Sequence, residues 1–219
     1  MYEVPPAYQQ PEEPSQQRQV LLALPTHAVR VAWGIFALNI VMFIVSVMRA
    51  PSLLSLSRSD ISGVIALIDL GAKYAPLMDL RGEWWRLASA MVLHAGLVHL
   101  GFNSYALYIL GPEVERLYGW LRFTAIYLVA GLAGSVGSYI FGSVQSPAIG
   151  ASGAIFGLIG ATGGFSYASR HVLGEFAKQN LKRVIGIAAI NLLIGFSLAG
   201  IDNYAHLGGL IAGALAGVL

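Results

Sequence analysis

Three groups of polar residues sit inside apolar stretches of this chain, where polar atoms are costly and therefore mark function. The first is His94-Ala-Gly-Leu-Val-His99-Leu-Gly-Phe-Asn103. His99 and Asn103 are four apart, so a helix places them on one face a turn apart, while His94 points elsewhere. The second is Gly150-Ala151-Ser152-Gly153, and the third is Ala205-His206-Leu207-Gly208-Gly209. Each has a structural reading when taken alone. His99 and Asn103 could bridge helices, as polar groups in membranes do. Ser152 could cap a helix, and His206 could be an interfacial residue. The functional reading is that Ser152, at a helix start, has free amides and a positive dipole end beside it. Those would stabilise a developing oxyanion.

The elements that must carry these groups are apolar. Of 219 residues, 56% are hydrophobic and 11% charged, against about 25% charged in soluble domains. The mean hydropathy is +0.67. Net charge is only +2, which argues against nucleic acid as a partner. Without cysteine, disulfides and thiolate metal sites are excluded. A span needs about 20 apolar residues, and six such blocks are expected, at about 31–48, 87–110, 121–141, 148–168, 184–200 and 204–219. The fold class is accordingly all-α, a polytopic six-span membrane protein. A Pro- and Gln-rich segment, 1–26, is expected to be a disordered tail, with 27–219 forming the membrane domain.

Arg18, Arg30, Arg116, Arg122, Arg170, Lys178, Lys182 and Arg183 fall on one side if every block crosses. By the positive-inside rule that side, with the N-terminus, is cytoplasmic. The long loop 49–86 also carries basic residues, but long loops weigh less in this rule. Ser152 and His206 then begin spans on the outer side, and His99 lies in the outer half of a span descending from it. Gly153 and Gly157, Gly160 and Gly164, and Gly209, Gly213 and Gly217 recur every four residues, smoothing helix faces for close approach. A Ser, a His and oxyanion donors would converge in one outer cavity, which is what nucleophilic acyl transfer needs.

Over roughly 83–219 the chain resembles the rhomboid intramembrane serine proteases. The resemblance rests on Trp85-Arg86, the His94/His99/Asn103 spacing, Glu115 in Gly111-Pro112-Glu113-Val114-Glu115-Arg116, Gly150-Ala151-Ser152-Gly153, and Ala205-His206-Leu207-Gly208-Gly209-Leu210-Ile211-Ala212-Gly213. It implies a six-helix bundle with a Ser–His dyad and no acidic third member. Ser152 would be the nucleophile and His206 the general base. The oxyanion hole would be the Ser152 amide with the side chains of His99 and Asn103. Gly150, Gly153 and Gly209 would support the dyad. Phe156 stands where relatives often have Tyr, keeping the ring against the imidazole without the hydroxyl. Trp85 and Arg86 would brace the long loop, His94 would support it, and Glu115 with Arg116 would form a polar network at the inner end.

The resemblance further implies single-span transmembrane protein substrates in a lipid bilayer, with helix-breaking residues near the cut, and no cofactor or metal. The expected location is a bacterial inner membrane or a plasma membrane. A non-proteolytic rhomboid-like chaperone or binding protein is the alternative, against which the intact Ser152 and His206 argue. A transporter would show inverted repeats, a metalloprotease an H-E-x-x-H helix, and an aspartyl protease two Asp inside spans. None of these is found in the sequence.

Overall fold

The structure is a computed structural model that describes residues 26–54, 61–198 and 200–218. The expected tail lies almost wholly outside the described residues. Among the described residues there are eight α-helices, in order α1 Val31–Arg49, α2 Ile61–Asp69, α3 Ala75–Arg81, α4 Arg86–Ser89, α5 Leu97–Phe141, α6 Ser152–Ala168, α7 Arg170–Ser197 and α8 Asn203–Ala216. There is no strand among the described residues, only an isolated antiparallel bridge between Lys73 and Ala148. The protein is an all-α polytopic membrane protein. Three helices, α1, α5 and α7, are long and apolar enough by themselves to cross a membrane.

Helix α5 contains two of the expected spans. Gly119 interrupts it with φ 76° and ψ 164°, a conformation glycine tolerates where other residues are strained. The segments on either side, 97–118 and 120–141, are each about 33 Å long at 1.5 Å per residue. Both ends of α5 reach the same level. His99, near its start, packs beside Gly150, and Ser138, near its end, bonds Asp202 at the start of α8. The chain therefore reverses at Gly119.

Two helix boundaries differ from the sequence expectation. The second block starts at Leu97 rather than near Leu87. Residues 86–92 form a short helix and a 3₁₀ turn instead, and Ala90, Met91 and Leu93 are buried beneath the loop. The fifth block belongs to a helix that starts at Arg170 and is broken at Gly174, φ 54°. Its polar first turns hid it from an apolar-window reading.

The centre of the bundle is α6, nearly all of whose residues are buried. It packs on α8 chiefly through glycines on both helices. A Cβ at Gly209, Gly213 or Gly217 would overlap the carbonyl oxygens of Gly153, Gly157 or Ala161, respectively. One at Gly160 or Gly164 would overlap those of Leu210 or Ala214. The fourfold glycine repeat thus brings the two backbones into direct contact, which any side chain would prevent. Such close approach maximises dispersion between helices where no hydrophobic effect drives association.

Glu115 fixes the entry of α1. Its carboxylate accepts from the amides of Arg30 and Val31, both at 2.9 Å, and of Ala32 at 2.8 Å. These are helix-start amides with no intrahelical partner, so the buried charge is satisfied by three charge-assisted bonds. Tyr118, one turn on, donates from its hydroxyl to the carbonyls of Ala161 and Gly217, tying α5 to α6 and α8 at the end opposite Ser152.

Candidate active site

Ser152 is the first residue of α6, and His206 lies in the first turn of α8. Because glycines let these two helices touch, their starts meet. His206 Nε2 is 3.0 Å from Ser152 Oγ. Ser152 is half-buried and His206 buried. The imidazole stacks on the Phe156 ring, with centroids 4.2 Å apart and planes 11° from parallel. Phe156 is one turn after Ser152, so the ring stacked on His206 lies on the same helix as Ser152. His206 Nδ1 has no hydrogen-bond partner among the described residues. For Ser152 to donate its proton, a neutral ring must carry its own hydrogen on Nδ1. Ser152 Oγ and His206 Nε2 are thus within hydrogen-bonding reach of each other.

The start of α8 is set by Asp202. Its Oδ1 accepts from the Ala205 amide at 3.1 Å as an N-cap, and its carbonyl accepts from the His206 amide at 3.2 Å. The start of α6 is set by Gly150, φ +126°, whose amide donates to the Ala90 carbonyl at 2.9 Å. An added Cβ there would lie 2.8 Å from His99 Nε2 and 3.6 Å from Ser152 Oγ. Gly150 therefore serves two needs, a left-handed backbone and a vacant volume between His99 and Ser152 Oγ.

The Ala95 amide donates to His99 Nδ1 at 3.3 Å. With Nδ1 accepting, a neutral His99 carries its hydrogen on Nε2, and that N–H faces the space above Gly150. Asn103 Nδ2 donates to the His99 carbonyl at 3.0 Å, which uses one amide hydrogen and leaves the other. His94 packs edge-on against His99, with centroids 5.2 Å apart, and so buttresses that ring from the loop side.

Arg86 is buried. Its Nη1 donates to the carbonyls of Ile68 at 2.5 Å and Ala72 at 3.1 Å, and its Nε donates to Glu83 Oε2 at 2.6 Å. Its guanidinium lies 4.8 Å from the Trp85 ring centroid, and a Cβ on Gly71 would be 2.5 Å from that ring. Trp85 and Arg86 thus knit the loop into one piece, whose other end pairs with the strand-like segment leading to Ser152. Residues that sequence reasoning passed over are Lys73 and Ser138, together with the capping role of Asp202. An Asp four residues before His206 was the available signal for a helix cap.

Comparison with known proteins gives a consistent result. The family model for the Rhomboid domain matches residues 81–219. The chain is 45% identical over 150 residues to Rhomboid protease GluP of Bacillus subtilis (strain 168), a match covering 68% of this chain and 28% of that protein. It is 40% identical over 137 residues to RHOMBOID-like protein 6, mitochondrial, of Arabidopsis thaliana, covering 63% of this chain and 44% of that one. With RHOMBOID-like protein 5 of the same plant it shares 38% over 149 residues, covering 68% and 47%. The matched region spans less than half the length of each of these relatives.

Proposed function

Since the chain belongs to the rhomboid family, we propose that it is an intramembrane serine endopeptidase that hydrolyses peptide bonds in or near transmembrane segments of single-span membrane proteins. The observation that carries this reading is the 3.0 Å approach of Ser152 Oγ to His206 Nε2. It occurs at two helix starts brought together by close glycine contacts between α6 and α8.

In the proposed reaction Ser152 Oγ attacks the scissile carbonyl while its proton passes to His206 Nε2. The oxyanion is met by the Ser152 amide at the start of α6, by His99 Nε2–H and by the free hydrogen of Asn103 Nδ2. Collapse breaks the C–N bond, and His206 delivers the proton to the departing amine. Water then attacks the acyl-enzyme, with His206 taking its proton and returning one to Ser152. Stacking on Phe156 holds the imidazole in plane through both halves without an acidic partner.

A substrate helix hides its carbonyls in its own hydrogen bonds, so the preferred sites are helices weakened by Gly or Pro near the cut. The N-terminus faces the cytoplasm on this reading, and the site opens outward in a bacterial inner membrane or plasma membrane. Domain 27–219 is the catalytic unit, with 1–26 a tail outside it. The reaction uses no cofactor or metal.

The experiment is cleavage of a model single-span substrate with a Gly-Pro break, reconstituted in liposomes, by wild type, Ser152→Ala and His206→Ala. Cleavage by wild type and none by either folded variant is expected. Cleavage surviving in Ser152→Ala would remove the serine mechanism. Wild type that cleaves nothing across a panel of weakened helices would move the chain to the non-proteolytic members of its family.

A further inference from the structure

Lys73 is a lysine with 2% of its surface exposed, in the loop between α2 and α3 and outside the helices of the site. Buried lysines are rare unless paired, and the uses assigned above leave this one unexplained. Its backbone makes both hydrogen bonds of the bridge with Ala148, at 3.0 and 2.9 Å, four residues before Ser152. Its side chain turns the other way. Nζ donates to the Ser138 carbonyl at 3.4 Å, in the last turn of α5. The Ser138 hydroxyl donates to Asp202 Oδ2. The other oxygen of Asp202 caps α8 through the Ala205 amide, and the next residue is His206.

One chain of contacts therefore runs from the segment that delivers the nucleophile to the helix that delivers the base. We infer that Lys73 and Asp202, joined through Ser138, form a positioning link that sets the register of Ser152 against His206 during cleavage. The inference rests on the Ser152–His206 reading.

The charges give the arrangement its strength. At 3.4 Å the bond from Nζ to a neutral carbonyl is long, and by itself would be weak compensation for burying an ammonium. Burial pushes the Lys73 ammonium below its ordinary pKa range, and the Asp202 carboxylate opposes that shift. Ser138 bridges the two groups, its carbonyl accepting from Lys73 Nζ and its hydroxyl donating to Asp202. Glycine contacts position α6 against α8 along their length, while the segment before Ser152 is held by the Gly150–Ala90 bond and the Lys73 bridge. The link through Ser138 to Asp202 ties that bridge to the start of α8. A misplacement of reacting groups by about 1 Å can cost 10²-fold in rate, so the pair acts on turnover rather than on substrate binding.

The test compares wild type with Lys73→Met, Asp202→Asn and the double variant. It measures kcat and KM on the reconstituted substrate, and the rate at which a fluorophosphonate labels Ser152. Asn retains capping ability and the shape of Asp, so Asp202→Asn removes the charge and the oxygen that accepts from Ser138 while keeping the cap, and it serves if Lys73→Met fails to fold. The expected result is a fall in kcat and labelling rate of about tenfold or more in each single variant, with KM within about twofold. The double variant should be no slower than the slower single, since residues of one network are not additive. A folded Asp202→Asn with wild-type kcat, a loss confined to KM, or single effects that multiply would each overturn the inference. Wild type that fails to label at Ser152 would instead remove the parent reading, and the inference with it.

Discussion

Replacing Gly150 by Ala tests the site at the point where backbone and chemistry meet. Gly150 has φ +126°, where an L side chain is strained by about 1–3 kcal/mol. Its new methyl would stand 2.8 Å from His99 Nε2 and 2.9 Å from Cε1, so the ring must retreat by about half an ångström to reach ordinary contact distance. That ring carries one of the three proposed oxyanion donors, and it is backed by His94 at 5.2 Å, which limits its retreat. Losing an oxyanion donor costs about 10²–10³ in kcat. The expected outcome for Gly150→Ala is a fall in kcat of about 10²-fold with modest loss of thermal stability. The assay is cleavage of a reconstituted single-span substrate, with thermal melting in the same detergent to separate unfolding from chemistry. A folded Gly150→Ala retaining kcat within about threefold of wild type would refute the placement of His99 beside the developing charge.

Three further outcomes follow from the same geometry. Phe156→Ala removes the stack on His206, worth about 0.5–1.5 kcal/mol, and should lower kcat per folded molecule about tenfold while also lowering the melting temperature, since a buried Phe is truncated; Phe156→Leu should be intermediate in kcat and lose less stability. Gly213→Val would drive a side chain into the Gly157 carbonyl and should destabilise the bundle by several kcal/mol, in the range of strongly disruptive changes, read as a large drop in the detergent melting temperature. Glu115→Ala leaves three helix-start amides of α1 unpaired at about 1–3 kcal/mol for each buried group that finds no substitute. It should lower stability while leaving kcat per folded molecule near wild type.

The residues of the proposed dyad stand out in the sequence because their motifs are local and their spacing periodic. Gly209, Gly213 and Gly217 repeat at the interval of a helix face, and that repeat is the contact through which α8 meets α6. Apolar windows located the long helices for the same reason. They located ends poorly wherever another part of the chain supplied the burial. Leu93 is fully buried by loop packing, so it reads like a span residue although the helix starts at Leu97. The reversal at Gly119 depends on one positive φ that a glycine permits but does not announce. Lys73 was the hardest to read. A lysine in a loop looks like a solvated charge, and its burial depends on Ser138, Ala148 and Asp202, which converge only after folding. Non-local ion and hydrogen-bond networks leave no periodic trace, whereas helical repeats do.

The central claim is that Ser152 is a nucleophile activated by His206, and it is tested most directly by covalent labelling. Reconstituted protein is treated with a fluorophosphonate and the modified peptide is located by mass spectrometry. The account predicts a single adduct on Ser152, with labelling slowed about 10²-fold or more in folded His206→Ala, in line with the contribution of a general base. An adduct on another residue, or Ser152 labelling at the wild-type rate in His206→Ala, would contradict it.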